Sequence, residues 1–298
     1  MRYDLTSLDV FIAVAETQNL THAANLRHLA VSAVSKRISE LEDLTGAPLL
    51  IRHARGVELT PAGQSLLFYA RQVRQTLQNL DAELGEFSEG VKGHIRIHAI
   101  TSALSQFLPT DITAFAALYP LIRFDIQERV GADVVSAVAE GRADVGVIAS
   151  QTASRGLQTV PYRTDELVVV VPGAHALASS TSIRFAEVLQ YEMVGPHRES
   201  SMYGLLTQQA EALDMPLKLR IRISSFDCIC RMVAAGMGIA VLPRSVVKPY
   251  QRSLKLKVLR LDEAWAVRAL LLVLQSYDAA APTLRTFVDN IRSEAGQV

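Results

Sequence analysis

Cysteine is scarce. The 298-residue chain has only Cys228 and Cys230, two positions apart and with no third cysteine for either to pair with. A disulfide framework is therefore excluded, and a reducing compartment is expected. An excess of one charge is missing as well, because 30 Lys and Arg balance 30 Asp and Glu. That excludes a histone-like polycation but leaves room for local basic patches. Long apolar runs are absent. The longest, such as Leu167–Val171 and Ala269–Leu274, fall far short of the ~20 residues that a membrane helix needs. Met1–Ala15 is broken by Arg2, Asp4 and Asp9 and does not read as a signal peptide, so a soluble, cytoplasmic chain without membrane attachment is expected. With 11 Pro and 16 Gly the chain is not fibrous, and at 49% hydrophobic it is not disordered. At ~100–200 residues per domain, its length predicts about two or three domains.

Catalytic and cofactor signatures are also missing. No Walker lysine loop, Gly-x-Ser-x-Gly elbow or His-Glu-x-x-His helix occurs. Gly236-Met-Gly238 lacks the third glycine and the preceding strand of a dinucleotide fingerprint. His94 and His98 lie in a strand-like segment without an acidic or cysteine companion, so no metal is expected. The expectation is a non-enzyme that uses no cofactor.

The first ninety residues have helical grammar. Leu5, Leu8, Phe11, Ile12 and Ala15 form one apolar stripe. Thr21 suits the cap of a short helix over His22–Leu26. A third helix runs from Val31 to Leu44 and is stopped by Thr45-Gly46, with Pro48 just beyond. Leu49–Ile51 and Val57–Leu59 then flank a polar tip that includes Gly56, the pattern of a two-stranded hairpin. Thr60-Pro61 opens a long helix. Its apolar residues Leu66, Ala70, Val73, Leu77, Leu80, Leu84 and Phe87 follow at steps of 4, 3, 4, 3, 4 and 3. That regularity fits a coiled-coil seam for a dimer better than a helix packed only within its own chain.

On the third helix, Val34, Ile38, Leu41 and Leu44 share one face, and Ser32, Ser35, Lys36 and Ser39 share the other. Residues 22–37 hold Arg27, Lys36 and Arg37 with no acid, and Arg52 and Arg55 add cations at the hairpin tip. Short hydroxyls and a lysine suit base edges and phosphates in a major groove, and a basic wing suits phosphates or the minor groove. A solvated helix face and an ordinary loop are the plainer alternative.

After Gly90 and Gly93, the clearest linker, the grammar becomes α/β. Candidate strands are His94–Ile100, Ile122–Gln127, Asp144–Ala149, Leu167–Val171, Lys218–Ser224, Leu256–Leu261 and Val267–Leu274. Helical segments over Pro109–Leu118, Asp133–Glu140, Met202–Leu213 and Phe226–Ala235 alternate with them. Alternation of this kind predicts mostly parallel sheets with ligands at the carboxyl ends of strands.

Four stretches resemble the LysR-type transcriptional regulators: Leu20–Asn25 through Ala33–Glu42 to Thr45–Arg52, the junction Leu59-Thr-Pro-Ala-Gly63, and the later segments Ala139–Gly146 and Ala235–Pro243. The resemblance covers essentially the whole chain. It implies an α/β fold class with an N-terminal all-α winged helix-turn-helix and a two-lobed effector domain similar to a type 2 periplasmic binding protein. The implied divisions are 1–60 for DNA binding, 61–90 for a dimerising linker helix and 91–298 for regulation. Lobe one would take 91–162 and 267–298, and lobe two 163–266. The implied partners are double-stranded promoter DNA, a small effector, further copies in a homodimer or homotetramer, and RNA polymerase. Family DNA contacts fall on Val31, Ser32, Ser35, Lys36 and neighbouring Arg37, with Arg52 and Arg55 in the wing. Where the family usually has a Ser cap and a Gln, this chain has Ala30 and Val31. Ala30 offers no capping oxygen, and Val31 cannot make a bidentate adenine contact but can pack on a thymine methyl.

For the effector, Thr101 and Ser102 follow the first strand, and Ser200, Ser201 and Met202 open a helix behind Arg198. Hydroxyls at two helix starts, one per lobe, point to a carboxylate or other anion in the cleft, with plain capping as the alternative. Ile148, Ser150 and Phe226 are further candidates at strand-to-helix junctions. A small-solute carrier that used only the α/β half would leave Thr21–Arg37 and the heptad helix without a purpose. A small α/β enzyme should show an acid–base or nucleophilic constellation, and none emerges.

Overall fold

The computed structural model describes residues 3–53, 56–89 and 93–293. Its contacts divide the chain into two compact units. One is Met1–Gly90 with Glu140–Arg142, and the other is Val91–Ala139 with Ala143–Val298.

In the first unit, helix α1 (Leu5–Thr17) is capped by Asp4, whose carboxylate accepts from the N–H groups of Thr6 and Ser7. The Ser7 hydroxyl, and to a lesser degree Arg37, hold the Asp4 carboxyl below its ordinary range. Helix α2 (Leu20–Leu26) starts two residues before the expected His22, because the cap is Asn19 and not Thr21. The Asn19 side-chain oxygen accepts from Thr21 and His22 at 2.9 and 3.1 Å, which leaves Thr21 inside the first turn. Helix α3 (Val31–Thr45) begins at Ala30 without any side-chain cap and ends at Gly46, left-handed at φ 67°. Strands β1 (Leu50–His53) and β2 (Gly56–Leu59) pair antiparallel, Leu50 opposite Leu59 and His53 opposite Gly56. Helix α4 (Pro61–Glu89) follows.

Two side chains fix this hairpin. Glu42 of α3 accepts from the N–H groups of Leu49 and Leu50 at 2.8 and 3.3 Å. The Thr60 hydroxyl donates to the Pro48 carbonyl at 2.7 Å while its oxygen accepts from the Gly63 N–H at 3.0 Å. The core gathers Phe11, Ile12, Val34, Ile38, Leu41, Leu49 and Ala70.

The second unit runs β3 (Gly93–Ala99), α5 (Thr101–Gln106), α6 (Leu108–Leu118), β4 (Ile122–Glu128), α7 (Gly131–Ala139), β5 (Val145–Ala149) and β6 (Gln158–Pro172). It continues with β7 (Ser182–Ile183), α8 (Phe185–Val188), β8 (Met193–Gly195), α9 (Ser201–Ala212), β9 (Leu219–Arg222), α10 (Phe226–Ala234), β10 (Ala240–Pro243) and α11 (Arg244–Val247). The last elements are β11 (Leu256–Leu261), β12 (Val267–Leu274) and α12 (Pro282–Ser293).

The larger sheet has the order β4-β3-β5-β12-β6-β11-β7, with β10 also on β6. Pairing is less parallel than alternation predicts. Strand β3 is parallel to β4 and β5, β11 to β7, and β8 to β9. Strand β12 is antiparallel to β5 and β6, and β6 to β10 and β11. The cause is that β6 and β12 carry the chain between two cores in opposite directions. One core holds Ile95, Ile97, Phe115, Val160, Leu272 and Phe287. The other holds Leu167, Val169, Phe185, Leu206, Ile229 and Leu259. Strand β6 is also longer than Leu167–Val171, since its first half alternates buried Val160 and Tyr162 with exposed Thr159 and Pro161.

Cys230 is buried and Cys228 exposed, both in α10. Burial, reinforced by Asp227, pushes the Cys230 thiol up to about 11, so it packs as an inert apolar group. Among the described residues, no helix is long and apolar enough to cross a membrane. Among the same residues, no cluster of three His, Cys, Asp or Glu is placed to hold a metal ion.

Candidate functional site

The first site is the outer face of α3. Burying Val34, Ile38 and Leu41 forces the opposite face outward, where Val31 (41% exposed), Ser32 and Lys36 lie in solvent and Ser35 is half-buried. Lys36 pairs with Glu40 at 3.8 Å with both side chains largely exposed, too weakly to hold the ammonium. Arg37 has a different task from the one its position suggests. Its Nη1 donates to Asp4 Oδ2 at 3.0 Å and Ser7 Oγ at 2.9 Å, tying α3 to the cap of α1. Arg27 likewise reaches the Asp9 carbonyl at 3.2 Å and serves the packing of α2 on α1. Arg52 is exposed on β1, and Arg55 lies outside the described residues.

The heptad residues divide into two sets. Ala70 is 1% exposed inside the first unit's core, and Leu66 packs against that core. Those two are occupied by their own chain, contrary to a seam that starts at Leu66. The reason is that α4 must first cover α1 before it can offer a face to anything else. Further along, Val73 and Leu80 are exposed and Leu77 is half-buried. The side chains of Leu84 and Phe87 lie outside the described residues.

The second site is a cleft of about 440 Å³ in the second unit. It is built at the carboxyl ends of β3, β4, β8 and β9, where strands hand over to helices. From β3 and α5 come Ile100, Thr101 and the buried Ser102; from β8 and α9 come His197, Glu199, Ser200, Ser201 and Met202; Phe226 comes from α10. Ser200 proves to be a cap. Its oxygen accepts from the N–H groups of Met202 and Tyr203 at 3.1 and 3.5 Å.

The remaining candidates stay out of the cleft. Ile148 is fully buried under α7 with Val134 and Val138 and does not line it. Ser150 and Arg198 are exposed and do not line it.

Several lining residues escape a reading of the sequence. Glu128 ends β4, Arg129 follows it in the turn, Asp133 lies in the first turn of α7, and Arg268 comes from β12. The Thr101 hydroxyl donates to Glu128 Oε1 at 2.5 Å. Arg268 is 4% exposed and binds Asp165 of β6 through Nε at 2.8 Å and through Nη2. A signal exists: Arg268 is the only charge in the apolar run Val267–Leu274, and a strand that buries a charge needs a partner for it.

A family model described as LysR substrate binding domain matches residues 88–296. Another, for the bacterial regulatory helix-turn-helix proteins of the lysR family, matches residues 5–64. The chain belongs to the LysR family. It is a LysR-type transcriptional regulator, with a helix-turn-helix domain ahead of an effector-binding domain. This LysR regulator is 29% identical over 297 residues to the probable HTH-type transcriptional regulator LrrA of Synechococcus elongatus, across 99% of this chain and 98% of LrrA. It is 24% identical to GltR of Bacillus subtilis, across 96% and 95% of the two chains. A full-length variant of OxyR from Pseudomonas aeruginosa shares the fold at TM-score 0.76 and 22% identity, over 97% of this chain and 95% of that one. Full-length CbnR complexed with its target DNA does so at TM-score 0.68 and 18% identity, over 98% and 99%.

Proposed function

We propose that this LysR regulator reads promoter DNA with Val31, Ser32, Ser35 and Lys36 of α3, braced by Arg52 of the hairpin. The observation that carries this reading is the outer face of α3, which presents hydroxyls, Val31 and a weakly held lysine, with no acid before Glu40. Arg37 acts indirectly, by fixing α3 on α1. Residues 1–60 form the DNA-binding domain, 61–90 the linker helix and 91–298 the regulatory domain. Its lobes meet where β6 and β12 cross, and a small effector binds between them against Thr101, Ser102, Ser201, Met202 and Phe226. The chain works by binding and not by catalysis, in the cytoplasm where promoter DNA and RNA polymerase are met. A solute carrier has no use for the α3 surface.

The test is fluorescence anisotropy with duplex DNA from upstream of its own gene, in excess nonspecific competitor, at two salt concentrations. Binding should survive competitor and weaken with salt. Lys36→Ala should weaken it and lower the salt slope by about one unit, as loss of one phosphate contact does. An unchanged slope removes Lys36 from the contacts. Silence across several promoter fragments, with and without cell metabolites, would favour the carrier reading instead.

The protein acts as a homodimer or homotetramer joined through α4, its seam beginning at Val73. Leu80 is 47% exposed, so Leu80→Asp leaves the single chain's packing alone. In a desolvated seam it places one carboxylate per copy, which an apolar interface rejects. Light scattering should show the mass fall by half or more, and an unchanged mass sinks the seam.

A further inference from the structure

Charge in the cleft runs against a simple anion. Its lining carries three carboxylates, on Glu128, Asp133 and Glu199, and none has an ion pair among the described residues. Two guanidiniums face them. Arg268 is already neutralised by Asp165, which leaves Arg129 and the imidazole of His197 against three acids. The hydroxyl expected to greet an anion is also taken, since Thr101 donates to Glu128 at 2.5 Å. An anion at Thr101 would therefore meet a carboxylate within hydrogen-bond reach of the same oxygen, a like-charge contact that costs affinity.

One group still calls for an acceptor. Arg268 grips Asp165 through Nε and Nη2, which turns Nη1 to the far side of the planar guanidinium. That Nη1 is buried and has no hydrogen-bond partner, on a residue that lines the cleft and is 4% exposed. A buried donor left unmade is costly, so a ligand oxygen that satisfies it gains affinity.

We propose that the effector is an amino acid, whose ammonium is taken by the Glu128, Asp133 and Glu199 carboxylates and whose carboxylate accepts from Arg268 Nη1 and the Ser102 and Ser201 hydroxyls. This rests on the cleft being the effector site. The volume suits such a ligand with a medium side chain. The placement also links binding to the connection between the lobes, because Arg268 and Asp165 lie on β12 and β6. Asp165 receives Gln106 Nε2 of α5 at 3.4 Å, and Gln106 in turn accepts from the Ser245 hydroxyl of α11. A carboxylate on Arg268 thus acts on a polar chain that reaches from α5 to α11, one element from each core.

The test is a thermal-shift panel on the full chain. It sets each proteinogenic amino acid beside the hydroxy acid that has the same side chain and no ammonium. At least one amino acid should raise Tm while its hydroxy acid does not. For that amino acid, Glu128→Gln should weaken binding roughly tenfold, the size of one charge-assisted hydrogen bond. Asp125→Asn, exposed on the same strand outside the cleft, should leave it unchanged. A shift from hydroxy acids alone overturns the amino-acid assignment and leaves the cleft as effector site. No shift from any amino acid overturns it as well. The effector-controlled reading falls separately, if whole metabolite pools fail to change operator binding.

Discussion

Replacing Asp165 with alanine is expected to destabilise the second unit by about 3–5 kcal/mol, because it strands a buried guanidinium without a counter-charge. Asp165 has 0% and Arg268 3% of its side chain exposed, so water cannot substitute for the lost carboxylate. The contrast is the next residue. Glu166 points away and pairs with Arg244 at 2.6 and 2.9 Å, but both side chains are well exposed. Its alanine variant should cost no more than about 1 kcal/mol. Arg244 holds the Glu166 carboxyl below its ordinary range, so that small contribution is present at neutral pH and fades as pH falls through the lowered value. Urea unfolding at pH 7 separates the two cases. The double variant Asp165→Leu with Arg268→Met should recover most of the loss, since two packed apolar groups carry no stranded charge. A cost below about 1 kcal/mol for Asp165→Ala would show that water reaches the pair.

The helices of the first unit are legible in the sequence because α1 and α3 bury single apolar stripes at helical period, and Gly46 stops α3 where a left-handed residue is required. The cap of α2 is not, because Asn19 and Thr21 are both good caps and only the fold says which side chain meets the free N–H groups. In the second unit, strands that are apolar throughout, such as β5 and the end of β6, declare themselves. The short strands β7, β8 and β10 carry too few residues to show a period, and the antiparallel pairing of β6 with β12 depends on partners a hundred positions apart. The cleft is half legible for the same reason. Thr101, Ser102, Ser201 and Met202 sit at strand-to-helix junctions that local grammar marks. Glu128 and Arg268 are brought there by sheet order and Asp133 by the first turn of α7, and the carboxylates reverse the sign of the charge that the hydroxyls suggest.

Gly63→Ala is expected to lower the melting transition of the first unit while leaving that of the second in place. A Cβ at Gly63 would stand 2.1 Å from the Leu49 carbonyl oxygen and 3.1 Å from Leu59 Cδ2. The obstacle is backbone, so no rotamer relieves it. The same carbonyl accepts from the Thr60 N–H at 3.0 Å, and Thr60 caps α4 through Gly63, so the hairpin and the helix start cannot separate without breaking both bonds. Overpacking of this kind costs about 1–3 kcal/mol, and a backbone obstacle belongs at the upper end. For a unit of this size each kcal/mol moves Tm by about 4–8 °C. The displaced wing should also weaken operator binding beyond the loss seen for Lys36→Ala. Gly46→Asn is the control: Gly46 is left-handed at φ 67° but has open space around its Cβ direction, and Asn tolerates that conformation. Calorimetry of both variants decides. If Gly63→Ala and Gly46→Asn melt alike, the close approach of Leu49 does not constrain position 63, and the Leu59–Gly63 junction owes its glycine to something other than this contact.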